Sequence, residues 1–178
     1  MLTYKSKNRP YDIVSHDPVW KETFSDESKK IKSIFGDVAL QIEHVGSTAV
    51  PSLSAKPTVD ILVIVDKASD ADQFNSQMGA LGYENMGGLI AEDTRMFQKE
   101  VEGHRLFIVH VFEKDHPHTA DMIKTRDYLI THPEEIETYD KIKKNLKKQF
   151  PDDYLSYRKE KDKYVAELTK RALDTNPN

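Results

Sequence analysis

The sequence contains no cysteine among its 178 residues, which excludes disulfide bonds, thiolate metal sites and a cysteine nucleophile. It also has no apolar run near the ~20 residues of a membrane-spanning helix. The longest such run, Ile61–Val65, has the length of a buried strand. No apolar segment follows the charged residues of Met1–Lys7, so no signal peptide is predicted. We therefore expect a cytoplasmic protein that does not associate with membranes.

Positive charge is not in excess, because 26 lysine and arginine residues stand against 30 aspartate and glutamate residues, for a net charge of -4. A general nucleic-acid-binding protein usually carries a basic patch and a high isoelectric point. The lysines between Lys141 and Lys148 are instead interpreted as the solvated face of an amphipathic helix. We therefore do not expect general nucleic-acid binding. The hydrophobic content of 38% is sufficient for one core, and the length suits one domain.

The spacing of apolar residues predicts a helix, two strands, a second helix, a hairpin and three final helices. The first helix is expected to begin at Asp17-Pro18 and end at Gly36, and the alternation that follows favours a strand over 38–43. The pair Gly87-Gly88 indicates a loop. The other expected elements are the strand Val59–Val65, the helix Ser69–Leu81, the hairpin Arg95–Phe112 and helices that start near 119, 134 and 154. We expect one domain over 1–178, with an α/β core over 11–115 and packed helices over 118–173.

One carboxylate interrupts the strand Val59–Val65, which is otherwise apolar on both faces. Asp60 is costly to bury at that position without a partner. The preceding strand runs into a tight turn at Gly46-Ser47, where glycine permits close backbone approach and serine offers donors. Together with Lys56, these groups favour a nucleoside triphosphate with Mg²⁺. The alternatives are that Asp60 caps neighbouring backbone or lies at an exposed strand end.

Two blocks of the sequence resemble the GrpB family of the nucleotidyltransferase superfamily. The first is Ile42–Pro51, with the letters IEHVGSTAVP, followed by Ala55–Pro57 and Val59–Ile61. The second comprises Arg126–Leu129, His132–Glu135, Tyr139, Lys143, Asp153, Tyr157 and Lys161. The resemblance extends from about Tyr11 to Ala172. It implies an α/β (α+β) nucleotidyltransferase-like fold, in which a short mixed sheet is flanked by helices and followed by a C-terminal helical part.

The resemblance also implies a reaction, the transfer of a nucleoside monophosphate from a triphosphate to an acceptor. Such enzymes place two carboxylates on the strand after the Gly-Ser turn and a third acidic residue on a later strand, where they hold Mg²⁺. In this chain Asp60 fills the first position, Leu62 stands at the second, and His110 stands where the third is expected. We therefore do not expect a complete two-metal site. A single-metal site using Asp60 and His110, and nucleotide binding without turnover, are both left open.

The candidate site residues follow from the turn, the strand and the resemblance. The predicted catalytic residues are Asp60, Ser47 and His110; the predicted nucleotide-binding residues are Gly46, Ser47, Thr48, Lys56, Arg126 and Lys161; the predicted ligands of Mg²⁺ or Mn²⁺ are Asp60 and Glu43. Of Glu43 and His44, one is expected to face the site, because neighbouring strand residues point to opposite faces. A hydrogen-bonded core histidine is the alternative for His110, and surface ion pairs are the alternative for Arg126 and Lys161.

These residues predict a nucleotidyltransferase-like protein that binds a nucleoside triphosphate with a divalent metal and acts on a small-molecule or protein acceptor. A Ser-His-Asp hydrolase is disfavoured, because Gly46-Ser47-Thr48 lacks the second glycine of a nucleophile elbow. One alternative is a catalytically reduced module that binds a nucleotide, a coenzyme or a related phosphorylated small molecule. Another is an accessory protein that binds a protein partner through its C-terminal helices. The resemblance links that alternative to coenzyme A metabolism, because family members are sometimes joined to dephospho-coenzyme A kinase.

Overall fold

The computed structural model describes residues 10–175, so the segment considered for a signal peptide lies outside the described residues. Its centre is a five-stranded sheet in the order β1-β2-β5-β4-β3. The strands are β1 (Gln41–Val45), β2 (Val59–Val65), β3 (Glu84–Gly87), β4 (Arg95–Val101) and β5 (His104–Glu113). β2 and β5 are parallel, whereas the other neighbouring pairs are antiparallel. The expectation of a short mixed sheet is therefore confirmed.

Within residues 10–175, five helices flank the sheet, of which one precedes β1, one lies between β2 and β3, and three follow β5. They are α1 (Val19–Phe35), α2 (Asn75–Ala80), α3 (Pro117–Thr131), α4 (Pro133–Gln149) and α5 (Tyr154–Asp174). Three short 3-10 segments, Gly36–Val38, Ser47–Ala49 and Ala68–Phe74, connect them to the strands. Within residues 10–175, none of the helices combines the length and the apolar character needed to cross a membrane.

The strand β2 is covered on both faces, which explains its almost continuous apolar sequence. Alternate side chains point to opposite faces, so Ile61 and Val63 pack with Ile31 and Phe35 of α1. On the other face, Leu62 and Ile64 join an apolar cluster that includes Val45 and Phe112 and is covered by Met122 and Ile123 of α3. Asp60 belongs by parity to this second face. The side of the sheet that carries Asp60 is therefore also the side on which α3 lies.

The helices α3, α4 and α5 pack around the loop that joins β1 to β2. Val50 and Leu53 of this loop are fully buried against Leu129 of α3, Tyr139 of α4 and Leu168 of α5. A surface loop rarely has such anchoring, because buried backbone groups need hydrogen-bond partners. The loop that carries Lys56 is therefore built into the helical part of the molecule.

Three expected boundaries differ from the structure. The strand expected to begin at Val38 begins at Gln41, because Gly36 adopts φ 52 and the chain makes a 3-10 turn first. The helix expected over 69–81 is 3-10 up to Phe74 and α-helical only over Asn75–Ala80. For the segment β3 the sequence predicts only the loop at Gly87-Gly88, since Glu84–Gly87 has no strand pattern. It forms a strand because Glu84 and Asn85 pair with β4, which a local sequence window cannot detect.

The buried carboxylate of Glu27 links α1 to β4 and to the residue just before β3. Glu27 is 2% exposed and accepts hydrogen bonds from Tyr83 Oη and Lys99 Nζ at 3.1 Å and from Lys30 Nζ at 2.8 Å. Burial raises the pKa of Glu27, but the hydrogen bonds from Lys30 and Lys99 outweigh burial and hold the pKa below its ordinary value of 4.5. The carboxylate therefore stabilises the fold most above its unfolded-state pKa.

We expect Glu27→Gln to lower the free energy of unfolding by about 1–3 kcal/mol at pH 7, because the buried partners lose a charged acceptor. The stabilisation from a carboxylate with a lowered pKa is lost as pH falls through the folded-state value. The difference between wild type and variant should therefore shrink below about pH 4.5. Urea unfolding at pH 7 and pH 3.5 measures both effects. Glu22→Gln, an exposed position on the same helix, is the control; equal losses in the two variants would refute the role of Glu27.

Candidate functional site

The Gly46-Ser47 turn lies directly on the carboxylate of Asp60. Val45, the last residue of β1, is paired with Asp60 on β2, and the chain then turns at Gly46 with φ 73 and ψ -171. This backbone region is essentially restricted to glycine. A Cβ atom at Gly46 would lie 2.6 Å from Asp60 Oδ2 and 3.2 Å from Asp60 Cβ. Glycine is therefore required here both by its backbone conformation and by the close approach to Asp60.

Asp60 is only partly enclosed. Its side chain is 27% exposed, and its Oδ1 lies 3.4 Å from Nε2 of His110. The His110 ring is buried, and its Nδ1 has no hydrogen-bond partner within the described part of the chain. The two residues share a face of the sheet, since β2 and β5 are parallel and His110 is paired with Leu62. A cation or a donor can therefore reach the carboxylate from the open side, with the imidazole beside it.

The residue at the position of the second carboxylate, Leu62, is part of the apolar core in this chain. Leu62 is fully buried and packs with Val45, Ile64 and Phe112. A charged side chain placed there would be desolvated among hydrocarbon groups, which is strongly unfavourable. Within residues 10–175, no group of three or more histidine, cysteine, aspartate or glutamate side chains is arranged to hold a metal ion. Asp60 is thus the central carboxylate of this site.

Glu43 and Arg126 are paired with each other at the end of β1. Arg126 of α3 donates from Nη1 to Glu43 Oε2 and, at 2.9 Å, to the carbonyl oxygen of His44. Its Nε donates to Asp127 at 2.8 Å. Glu43 does face the side of the sheet that carries Asp60, as expected for one of the two neighbours. The predicted roles of Glu43 as a metal ligand and of Arg126 as a nucleotide-binding residue stay predictions. In the structure the two side chains are paired with each other.

His44 points to the opposite face of β1. Its ring stacks on Phe24 of α1 at a centroid distance of 4.7 Å, and its Nε2 lies 3.0 Å from the hydroxyl of Thr48. Burial lowers the pKa of His44 to about 4, with a smaller opposing effect from Asp60. The ring is therefore neutral at pH 7. His44 and Thr48 hold the start of the turn from the α1 side, while Ser47 is half-buried next to them.

Lys56 adds positive charge near Asp60, and Lys161 lies near Lys56. Lys56 Nζ donates to Tyr154 Oη at 2.6 Å and lies 4.3 Å above the Tyr154 ring. Burial lowers the pKa of Lys56 and the nearby Lys161 lowers it further, whereas Tyr154 and Asp60 raise it. Lys161 Nζ lies 2.8 Å from Asp162. Lys56 is therefore close enough to both Asp60 and Lys161 for their charges to act on it, an arrangement that favours an anionic ligand.

One residue of this region was interpreted wrongly from the sequence. Lys143 was placed on the solvated face of α4, but it is 2% exposed. Its Nζ donates to the carbonyl oxygen of Ser54 and lies 4.3 Å over the Tyr139 ring. A signal existed, because Lys143 follows Tyr139 by four residues and precedes Leu146 by three, which is the spacing of one helix face.

Two surface grooves lie away from these residues. One, of about 540 Å³, is lined by residues of α1 such as Lys32 and by residues at the start of β1 such as Gln41. The other, of about 410 Å³, is lined by Pro51, Ser52 and residues of α3 and α4. Neither lining includes Asp60 or Lys56. We nevertheless locate the candidate site at Asp60, because charge, glycine geometry and the buried histidine coincide there.

The mixed sheet and its flanking helices define a nucleotidyltransferase-like fold. The chain is similar in structure to the Cid1 poly(U) polymerase, with a TM-score of 0.52 and 15% sequence identity, over 76% of this chain and 44% of that one. At this identity the similarity shows the fold alone. The family model described as GrpB protein matches residues 10–171. The chain therefore belongs to the GrpB family, as the sequence predicted.

Relatives within the family are much more similar. The crystal structure of the conserved protein GrpB from Enterococcus faecalis is 32% identical, with a TM-score of 0.87 over 91% of this chain and 97% of that chain. The glutamate-rich protein GrpB of Alkalihalophilus pseudofirmus is 32% identical over 88% of this chain and 92% of its own length. UPF0157 protein YqkA of Bacillus subtilis is 34% identical over 88% of this chain, which spans only 46% of YqkA.

A more distant similarity connects the chain to a larger enzyme. A dephospho-CoA kinase of Mycolicibacterium paratuberculosis is 23% identical over 98% of this chain. The chain spans 49% of that protein. The association between this family and dephospho-coenzyme A kinase that the sequence suggested is thus found in a relative.

Proposed function

We propose that the protein binds a nucleoside triphosphate with Mg²⁺ between the Gly46-Ser47 turn and Asp60, and transfers a nucleotidyl group to a small-molecule or protein acceptor. The observation that carries the proposal is the contact of Gly46 with the Asp60 carboxylate, where a Cβ would lie 2.6 Å from Oδ2. A turn held this close places backbone N–H groups and a carboxylate around one small volume. Phosphate oxygens and a cation match those two partners.

The residues present fit a metal ion that arrives with the nucleotide. Mg²⁺ is usually held by one or two carboxylates together with substrate phosphates rather than by an all-protein cage. Asp60, with its 27% exposed side chain, supplies one such ligand. Structures of Cid1 that contain MgATP and MgGTP support the same combination for this fold. The ion, or Mn²⁺ in its place, would neutralise phosphate charge and lower the pKa of an attacking hydroxyl.

The side chains around Asp60 have distinct roles in this proposal. Lys56 and Lys161 attract the phosphates as point charges. Ser47 supplies donors from the turn itself. His110 orients Asp60 through Nε2, which lies 3.4 Å from Oδ1. Because the His110 ring is buried, its orientation is fixed before the acceptor arrives.

In this proposal Glu43 and Arg126 act indirectly, through the conformation of the turn rather than through contact with the phosphates. Their ion pair and the bond from Arg126 to the His44 carbonyl attach the end of β1 to α3. This attachment fixes the direction in which the chain enters the turn. Glu43 becomes a metal ligand only if Arg126 transfers to a phosphate, as a bidentate guanidinium can.

A second candidate function is nucleotide or coenzyme binding without transfer. The observation that favours it is Leu62, which fills the second carboxylate position with an apolar side chain that is fully buried. Replacement of Leu62 by a carboxylate would bury a charge in the apolar cluster. The chain therefore cannot regain the missing ligand by a simple substitution. Because the chain is similar to a dephospho-CoA kinase, coenzyme A precursors are included among the ligands to be tested for binding.

Binding and transfer assays separate the two functions. We expect titration calorimetry with Mg²⁺ to detect binding of at least one of ATP, CTP, GTP and UTP at millimolar concentration or below. We further expect wild-type protein to transfer label from an α-³²P triphosphate to a component of cell extract. Binding without transfer would favour the second function. Absence of binding across the triphosphates and dephospho-coenzyme A, all at millimolar concentration, would end both.

A further inference from the structure

The helix α4 binds both backbone polar groups of one residue, Ser54, in the loop between β1 and β2. The N–H of Ser54 donates to Asp140 Oδ1 at 3.0 Å, and Lys143 Nζ donates to the Ser54 carbonyl oxygen. The two side chains are three residues apart on α4 and so lie on one helix face. Ser54 itself is 3% exposed. The backbone N–H and the carbonyl oxygen of this buried residue are therefore both satisfied by the same helix.

The next two residues of the loop are fixed from other directions. Ala55 forms an isolated antiparallel bridge with Val14, with hydrogen bonds of 2.9 and 3.0 Å. Lys56 then reaches Tyr154 of α5, as described above. Three consecutive residues are thus held by α4, by the segment before α1 and by α5. Little freedom remains for the direction of the Lys56 side chain.

Burial of the Lys143 amine carries a desolvation penalty that an apolar side chain of similar size would not have. Burial lowers the pKa of Lys143 to about 7, with an opposing effect from Asp140. A methionine would fill a similar volume without the desolvation penalty, and such replacements of buried charges are often neutral or stabilising. The hydrogen bond to Ser54 is what a methionine would not supply. The presence of a lysine at position 143 is therefore better explained by its effect on the loop conformation than by its effect on stability.

We infer that Asp140 and Lys143 are positioning residues, whose grip on the Ser54 peptide fixes the loop that presents Lys56 beside Asp60. The helix α4 then sets the geometry of the phosphate-binding side without touching the ligand. The effect on the ligand rests on the proposed nucleotide binding. The effect on Lys56 itself does not, and it is measured without any nucleotide.

The first test replaces Lys143 by methionine, with Lys141→Met at an exposed position of the same helix as the control. We expect amide hydrogen exchange in the loop 51–57 to rise roughly tenfold in Lys143→Met, as for the loss of one charge-assisted hydrogen bond. We also expect the pKa of Lys56, measured by NMR on ¹³Cε-labelled lysine, to move up towards its ordinary value of 10.5. Unchanged loop exchange and an unchanged Lys56 pKa would overturn the inference.

The second test asks whether the hydrogen bond or the charge of Asp140 matters. Asp140→Asn keeps an oxygen that accepts from Ser54 N–H, whereas Asp140→Ala removes it. We expect loop exchange close to wild type in Asp140→Asn and roughly tenfold faster in Asp140→Ala. Equal exchange in the two variants would contradict the grip on Ser54. These variants also decide the matter if Lys143→Met does not fold.

The third test links the loop to the ligand. With Mg-ATP, we expect the dissociation constant of Lys143→Met to rise roughly tenfold, close to that of Lys56→Met, and that of Lys141→Met to stay at the wild-type value. A looser loop with an unchanged dissociation constant would overturn the positioning role and leave the proposed function standing. Failure of the wild type to bind any nucleotide would instead reject the proposed function, and the exchange and pKa results would then decide the inference alone.

Discussion

Asp60→Asn will reduce nucleotidyl transfer by roughly 100-fold or more and weaken the binding of Mg-nucleotide, while the protein stays folded. The substitution keeps the shape of the side chain but removes the charge that would face the cation. Asp60 lies against Gly46 and beside His110, and Glu43 on the same face is paired with Arg126, so it does not replace the lost charge. Transfer of labelled triphosphate and calorimetry measure the two effects.

The stability of Asp60→Asn separates a functional carboxylate from a structural one. The Asp60 side chain is partly buried with a histidine as its neighbour, so removal of the charge also removes a desolvation penalty. We therefore expect the free energy of unfolding to change by less than about 1 kcal/mol. Asp66→Asn, at an exposed residue just after β2, is the matched control for transfer and binding. Nucleotide binding as tight as that of the wild type in Asp60→Asn would contradict the site.

Gly46→Ala is expected to have the second large effect, because it acts on fold and site together. The added Cβ would lie 2.6 Å from Asp60 Oδ2, and the backbone at φ 73 and ψ -171 is strained for alanine. Such a conformation costs about 1–3 kcal/mol, before any displacement of the carboxylate. We expect urea unfolding to show a loss of roughly 3 kcal/mol and calorimetry to show no nucleotide binding.

The same substitution at another glycine has the opposite expected sign. Gly79 lies in α2, its added Cβ would have no neighbour within 4 Å, and its φ is not positive. Gly79→Ala should stabilise the protein by about 0.5–1 kcal/mol, because alanine is the better helix former. If Gly46→Ala proves as stable as the wild type, the turn does not rest on Asp60 in the manner described. The result would be informative even in the absence of a known ligand.

The substitutions Asp60→Asn and Gly79→Ala also test the alternative that the chain is an accessory protein. If such a protein works through its helical face, then neither Asp60→Asn nor Gly79→Ala should affect its partner binding. The tyrosines Tyr154 and Tyr157, however, are buried against Tyr11 rather than displayed to a partner. The C-terminal helices are therefore used at these positions to build the core and to hold Lys56. Their contribution to the candidate site is clearer than any contribution to an external surface.

Much of the fold could be predicted from the sequence, because its signals are local. Strict alternation and an apolar run marked β1 and β2, Gly103 marked the hairpin of β4 and β5, and Pro133 marked the boundary between α3 and α4. The strand β3 could not be predicted, since Glu84–Gly87 contains one apolar residue, Met86, and has no strand pattern of its own. It is held by hydrogen bonds to β4, and those depend on the whole sheet.

The candidate site divides in the same way between local and distant determinants. The sequence by itself determined the Gly46-Ser47 turn, the carboxylate of Asp60 and the absence of a second carboxylate at Leu62, since each is a property of one short segment. Only the tertiary structure decided that Arg126 pairs with Glu43, 83 residues away, and that Lys143 holds Ser54, 89 residues away. The period of a strand or helix defines the face on which a side chain lies. It does not define which distant element covers that face, because that choice depends on the packing of the entire chain.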